Sequence, residues 1–247
     1  KLFDSTFMKT LYNPHDEIND TINYDGYQYL PVKDDNKEED KIVDVFDEFI
    51  KCVKDYKPDL IAFSITTELW GLTKRYINNL KFNDINIPVL VGGVHPTLNP
   101  DEVIEKVDYL CIGEGEQAIV ELCDCLSKGK VGIRISNLWV NHKGKIYKND
   151  VRPLYDMNNL PIPDWSIFDK RHFKGVYKGK IMNRGCYLSM RGCPYSCAYC
   201  TNNYLRKLYN GKGKYVRWES VENTVRNVKS MVKEFNLDMI KFSDDLF

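Results

Sequence analysis

Three short, mainly apolar runs alternate with helical patterns between residues 60 and 126, and this alternation restricts the fold more than any other feature of the chain. The runs are 60–65, 87–91 and 109–112. None shows the in–out alternation of a half-solvated strand, so each reads as a strand covered on both faces. Such strands are parallel ones joined by helices. The helices are legible too. Ile42, Phe46, Phe49, Ile50 and Val53 share one face of 39–56, which Pro58-Asp59 ends. A second helix is expected over 72–82. Asn99-Pro100-Asp101-Glu102 joins a cap residue, a first-turn proline and two acids at the positive end of the dipole. Ile119, Leu122 and Leu126 define a last helical face.

Beyond residue 126 the pattern changes. Residues 133–146 read as a hairpin turning at His142-Lys143-Gly144. Pro153, Pro161 and Pro163 stiffen the segment 151–180. Trp165, Phe168, Phe173 and Tyr177 make it too apolar for a freely solvated tether, so it is expected to pack across both neighbours, with Trp165 as a buried anchor. A second α/β run follows: a strand over 187–190, a helix marked by Val221, Val225, Val228, Val232 and Phe235, and a strand over 239–242. The expected division is an α/β domain over 1–150, a linker over 151–180 and the start of a second domain over 181–247. Residues 1–3 read as a strand. The chain opens on Lys1 rather than Met and stops just after a strand, which reads as an internal piece of a longer protein, inactive alone. The charged tract 33–41 reads as a solvated loop.

Thirty-five basic residues balance thirty-five acidic ones, so no overall field draws the protein to nucleic acid or to an anionic membrane. No apolar run reaches the roughly 18 residues of a membrane span, and no secretory signal is visible. Of eight cysteines, three crowd into Cys193, Cys197 and Cys200, which suggests a metal or cluster in a reducing compartment such as the cytoplasm.

The sequence from Arg191 through Gly192 to Cys200 contains C-x3-C-x2-C. Three thiolates on one short loop can hold three irons of a cubane. Structural zinc wants a fourth protein ligand, and no histidine or cysteine follows within reach of the loop. An iron left open can take a ligand directly. The alternative is a zinc knuckle that recruits Cys186, in a non-catalytic protein whose α/β domain binds a partner. Three further loops stand at the carboxyl ends of the first strands: 64–68 with Ser64, Thr66, Thr67 and Glu68, 92–97 with Gly92, Gly93 and His95, and 113–116 with Gly113, Glu114, Gly115 and Glu116. Open α/β sheets bind ligands at that edge, where glycines admit close approach and hydroxyls supply hydrogen bonds.

On these residues the chain resembles the radical S-adenosylmethionine (SAM) proteins that carry a cobalamin (B12)-binding domain. Lys57-Pro58-Asp59 and Leu160-Pro161-Ile162-Pro163-Asp164 match as well, so the resemblance covers nearly the whole chain. It implies a Rossmann- or flavodoxin-like cobalamin-binding domain followed by the beginning of a radical SAM (β/α) partial TIM barrel. It implies a [4Fe–4S] cluster on Cys193, Cys197 and Cys200, with SAM on the open iron. Tyr199 would lie against the adenine, and Asp244 and Asp245 would meet the amino group of SAM. Ser64, Thr66, Gly92 and Gly93 would surround the cobalamin tail, with His95, Gly113, Glu114 and Gly115 nearby. The implied activity is methyl transfer to an unactivated carbon of a small-molecule substrate, with a reductant such as flavodoxin or ferredoxin as partner. Ring-forming and rearranging relatives share the motifs. Two departures matter. The Asp-x-His-x-x-Gly motif whose histidine ligates cobalt is absent, and His15 lacks its flanks. In a flavodoxin-like order the first strand is central, and if 1–3 is the second strand the central one is missing.

Overall fold

The structure, a computed structural model, describes residues 1–6, 8, 23–24, 27–28 and 43–246. The charged tract 33–41 and His15 lie outside the described residues. Helix α1 (Val45–Tyr56) starts where Asp44 caps it, its carboxylate accepting from the Phe46 and Asp47 N–H groups. Lys57, in the left-handed region, closes it. Its apolar stripe of Phe49, Ile50 and Val53 is buried. Strand β1 (Ile61–Ser64) follows, then α2 (Trp70–Phe82), β2 (Val89–Gly92), α3 (Val94–Leu98), α4 (Pro100–Ile104), β3 (Tyr109–Cys111) and α5 (Glu116–Leu126). A hairpin of β4 (Leu138–His142) and β5 (Lys145–Lys148) completes a five-stranded sheet in the order β1-β2-β3-β4-β5. The first three strands are parallel and the hairpin antiparallel, so this is a mixed α/β sheet.

Register follows from side-chain clamps as well as from the ladder. The Asp108 carboxylate accepts from the Val89 N–H at 2.8 Å, tying the entry of β3 to that of β2. Asn137, fully buried, donates to the Ile112 carbonyl at 2.8 Å and accepts from the Arg152 backbone at 3.1 Å. The free edge of β1 borders a cleft of about 1270 Å³ whose other wall includes residues Lys1, Phe3 and Thr6. Residues 1–3 are not a strand, contrary to the sequence reading: no strand among the described residues pairs with them. They are held by side chains instead, Phe3 standing edge-on to Phe49 at 5.2 Å and to Tyr76 at 6.3 Å.

The later part of the chain forms β6 (Lys174–Tyr177), β7 (Lys180–Tyr187), β8 (Met190–Arg191), α6 (Thr201–Leu208), β9 (Arg217–Trp218), α7 (Val221–Phe235) and β10 (Met239–Phe242). Strand β7 pairs antiparallel with β6 and parallel with β10, while β8 and β9 form a separate antiparallel pair. The strand expected over 187–190 therefore lies earlier, at Lys180–Tyr187. Lys180, Asn183 and Arg184 make it look like a loop, and its pairing with β6 and β10 supplies what the composition does not. Two helical faces are corrected as well. Ala118 and Leu122 are the buried positions of α5, and Ile119 is 37% exposed. On α7, Asn227 and Met231 turn inward, whereas Val221 is 73% exposed.

The segment 151–173 lies against both sheets. Val151 and Leu154 join the first core, and Phe173 is buried with Met231 and Leu237 in another. Trp165, expected to be a buried anchor, is only half-buried and packs on that second core. Tyr209 is buried in the first core, with Leu208 and Tyr215 packed against it, so residues from both ends of the chain share one apolar cluster.

Candidate functional site

The ends of β1, β2 and β3 come together because Ser64 pairs with Gly92 and Val91 with Leu110 in parallel register. Ser64, Thr66, Thr67 and Glu68 are exposed there. Gly93 has φ +103°, and a Cβ on it would stand 2.6 Å from the Ile65 carbonyl oxygen. Glycine is thus required at 93 by the neighbouring backbone, not by space for a ligand. The Ile65 carbonyl also accepts from the His95 N–H, which fixes the start of α3. His95 is 3% exposed. Its Nδ1 meets the Thr67 hydroxyl at 3.3 Å, its ring lies against Trp70, and its Nε2 has no hydrogen-bond partner, standing 3.9 Å from the Glu102 carboxylate. The exposed hydroxyls of Ser64, Thr66 and Thr67 and an orphaned buried imidazole nitrogen at one sheet edge fit a polar ligand tail.

The loop 113–116 is arranged differently from the sequence expectation. Gly113 donates to the Thr97 hydroxyl at 3.0 Å and has φ +70°. A Cβ there would fall 2.0 Å from the Tyr209 hydroxyl, which accepts from the Glu114 N–H at 2.7 Å. The Glu114 carboxylate pairs with Arg217 through both oxygens, and Arg191 stands 3.6 Å away. Glu116 pairs with Arg191 at 2.6 Å. Burial pushes the Glu116 carboxyl upward, but the hydrogen bond and charge of Arg191, its own N–H and the more distant Arg217 outweigh it and hold the group below its ordinary value of 4.5. This loop therefore touches residues 191, 209 and 217, and the side chain of Glu114 is engaged by arginines.

Cys193, Cys197 and Cys200 follow β8 directly, all as free thiols, Cys197 exposed and the others half-exposed. The Cys200 N–H bonds to the Cys197 carbonyl at 3.1 Å, and Arg206 donates to the Pro194 and Tyr195 carbonyls at 2.9 Å, so the loop has internal order. Among the described residues no three His, Cys, Asp or Glu side chains stand close enough to hold a metal ion, so the three sulfurs are near one another in sequence without being gathered. The donor set still fits an iron–sulfur cluster: three unpaired thiols on one short loop, without a fourth ligand. Cys186 is exposed on β7 with its sulfur 2.9 Å from the Ser243 hydroxyl, occupied in the strand and not in the loop.

Tyr199 is 93% exposed beside these cysteines. Asp244 is turned toward the chain: its carboxylate accepts from the Ser189 N–H at 2.6 Å and the Met190 N–H at 2.7 Å, besides the Ser189 hydroxyl at 3.2 Å. That geometry gives Asp244 a structural task where the resemblance implied a SAM contact. Asp245 is exposed and close enough to Tyr215 to assist burial in pushing its hydroxyl up to about 12. Sequence reasoning singled out neither Tyr209 nor Arg217. No spacing rule joins position 114 to 209 or 217.

Residues 28–123 match the family model described as the B12 binding domain. An uncharacterized methyltransferase of Pyrococcus horikoshii is 29% identical over 234 residues, which is 90% of this chain and 48% of that protein. The anaerobic magnesium-protoporphyrin IX monomethyl ester cyclase of Rubrivivax gelatinosus is 21% identical over 200 residues, covering 76% of this chain and 34% of the cyclase. The chain thus spans about half, or less, of the length of these relatives. The structure of the radical SAM methyltransferase TsrM from Kitasatospora setae, solved with cobalamin and a [4Fe–4S] cluster, superimposes with a TM-score of 0.56 at 18% identity, over 81% of this chain and 40% of that one. Over residues 28–123 the chain is thus similar to the B12 binding domain, and over most of its length to the methyltransferase and the cyclase. Among its described residues no helix is long and apolar enough to cross a membrane.

Proposed function

We propose that this chain is the cobalamin- and cluster-binding part of a radical SAM enzyme that methylates an unactivated carbon of a small molecule. One observation carries the reading. Arg191, two residues before Cys193, is ion-paired with Glu116, the first residue of α5, just after the loop that follows β3. The cysteine loop and the sheet edge at which α/β domains bind ligands therefore lie side by side, as two cofactors addressing one substrate require. When bound, the cluster with SAM supplies a carbon radical and the cobalamin a methyl group; the protein orients them and excludes water.

In this reading Cys193, Cys197 and Cys200 hold the cluster, and Tyr199 and Asp245 face SAM. Ser64, Thr66, Gly92, Gly93, His95 and Gly115 line the cobalamin side. The strands β7 and β10 begin the barrel that carries the substrate site, and a flavodoxin- or ferredoxin-type reductant supplies electrons. Anaerobic assay of the longer native protein tests it. SAM is expected to yield both 5′-deoxyadenosine and S-adenosylhomocysteine, with an acceptor gaining one CH2. The Rubrivivax relative supports a second reading, ring formation, in which the acceptor gains no CH2. Protein that retains neither cobalamin nor iron would overturn both.

A further inference from the structure

The antiparallel pair β8–β9 places Arg191 directly opposite Arg217. Opposed residues of an antiparallel pair project from the same face, and like charges so placed destabilise the pairing. Nothing within that two-stranded ribbon neutralises them. The neutralising groups come from more than seventy residues earlier in the chain: Glu114 takes Arg217 through both oxygens and lies 3.6 Å from Arg191, and Glu116 takes Arg191 at 2.6 Å. The side chains are mostly withdrawn from water, Arg217 12% and Glu114 21% exposed. Tyr209 adds a neutral contact by accepting from the Glu114 N–H, and the absence of a side chain on Gly113 makes room for it. Arg217 also donates to the Tyr155 carbonyl at 2.8 Å, so the linker is held by the same guanidinium.

We propose that Glu114 and Glu116 are positioning residues, forming with Arg191, Arg217 and Tyr209 a charge clamp that sets the cysteine loop against the B12-domain edge. Glu114 then acts on the cluster loop through arginines and does not serve as a cobalamin contact. The clamp rests on the proposed function for its purpose, but its existence does not. Geometry makes it cooperative: strand β8 leads straight into the cysteine loop, and β8 can pair with β9 only while two carboxylates from the other sheet separate the guanidinium groups. Cofactor-side and cluster-side geometry are thereby joined through four charged side chains.

The test uses the longer native protein and three variants, Glu114→Gln, Arg217→Met and the two combined. Hydrogen exchange of peptides covering 111–116 needs no cofactor. Glu114→Gln is expected to raise it about tenfold, because one partner of a largely buried pair is removed and Arg217 is left without a carboxylate opposite Arg191. In the combined variant the excess positive charge is gone, so exchange returns toward the wild-type rate, short of it because the Tyr155 carbonyl loses a donor. The low-temperature EPR signal of the reduced cluster is read in parallel. It is expected to change shape in Glu114→Gln and to recover in the combined variant, with cobalamin retention by dialysis unaltered throughout. A group that touched cobalamin would behave oppositely: retention would fall in Glu114→Gln and the second substitution would not rescue it. Wild-type exchange in Glu114→Gln, or no recovery in the combined variant, overturns the clamp. If the wild-type protein takes up no cluster, the functional reading fails while exchange alone still decides the clamp.

Discussion

Asp244, just beyond the end of β10, accepts from the backbone N–H of Met190 at 2.7 Å and of Ser189 at 2.6 Å, and so fastens the end of one strand to the start of β8, which leads into the cysteine loop. Ionised acceptors make the stronger hydrogen bonds, and removing one strands its donors. Asp244→Ala is therefore expected to cost on the order of 2 kcal/mol in urea denaturation. Iron content after anaerobic reconstitution is expected to fall with it. Unchanged stability and iron would show that the two N–H groups find other partners.

Thiol chemistry separates the cysteines by environment. Burial, with a smaller push from Glu116, drives the Cys111 thiol up to about 12, so it is expected to resist iodoacetamide in the folded protein. Cys123, Cys186 and Cys197 are exposed and are expected to react. After reconstitution with iron and sulfide, Cys193, Cys197 and Cys200 are expected to become protected together, with about four irons per chain. Cys123 and Cys186 stay reactive. Mass spectrometry of alkylated peptides reads all of these at once, and protection of Cys186 with the other three would favour zinc.

The cobalamin side is best probed where the fold does not depend on the residue changed. At Gly93 a side chain meets the Ile65 backbone, so a bulky residue there disrupts the end of β1 whatever binds beyond it. Thr66 is exposed at the same edge. Thr66→Trp is expected to lower cobalamin retention in equilibrium dialysis several-fold while leaving the melting temperature within a few degrees of wild type. Full retention would move the tail away from the β1 loop.

The parts of this fold that could be read from the sequence are those governed by local pattern. The runs ending at Val91 and Ile112 announce buried strands because nothing polar interrupts them, whereas the run ending at Ile65 contains Ser64 and lies at the sheet's edge, where Ile61 and Ile65 are buried but Ala62 and Ser64 are exposed. Lys143-Gly144 marks its hairpin because both residues adopt positive φ. The position of strand β7 is not legible in the sequence, because Lys180, Asn183 and Arg184 look like loop residues until β6 and β10 pair with them. The exposure of Ile119 is not legible either, because α5 meets the sheet through Ala118 and Leu122, and only the packed sheet reveals the phase. At the candidate site, the cysteine loop and the glycine loops were visible as types. The tasks of Gly113, Glu114 and Asp244 were not, since each depends on a partner that folding alone brings near.

Acid is expected to weaken the contact between the two sheets at a defined point. The folded Glu116 carboxyl is held below its ordinary value of 4.5. A depressed folded value means that the unfolded chain binds the proton more tightly, so the stabilisation is complete above about 4.5 and is lost as pH falls through the lower folded value. Urea midpoints of wild type and Glu116→Gln are expected to differ most near neutrality and to converge as pH falls through the lowered folded value. A difference that held constant across this range would remove Arg191 as the cause.

The connecting segment supplies the last expectation. It is fastened at successive points and not merely stiffened by proline. Arg152 reaches the Asn137 side chain at 3.0 Å and Glu121 at 2.8 Å, and Met157 is 5% exposed. The Asn158 side chain accepts from the Ser220 N–H at 2.7 Å, capping the approach to α7. Phe173 stacks on Phe235 with ring centroids 3.9 Å apart and planes 12° from parallel. Phe173 is the deepest of these apolar anchors on the second core, so Phe173→Ala is expected to cost about 3–5 kcal/mol, the usual range for a buried phenylalanine. Trp165, only half-buried, is expected to cost less on truncation despite its size, because much of its surface is already in water. Proteases offered the folded protein are expected to spare 151–173 and to begin cutting there only after Phe173→Ala loosens it. Cleavage inside 151–173 of the intact wild-type protein, ahead of any unfolding, would mean that the segment is a hinge and that the two sheets move independently.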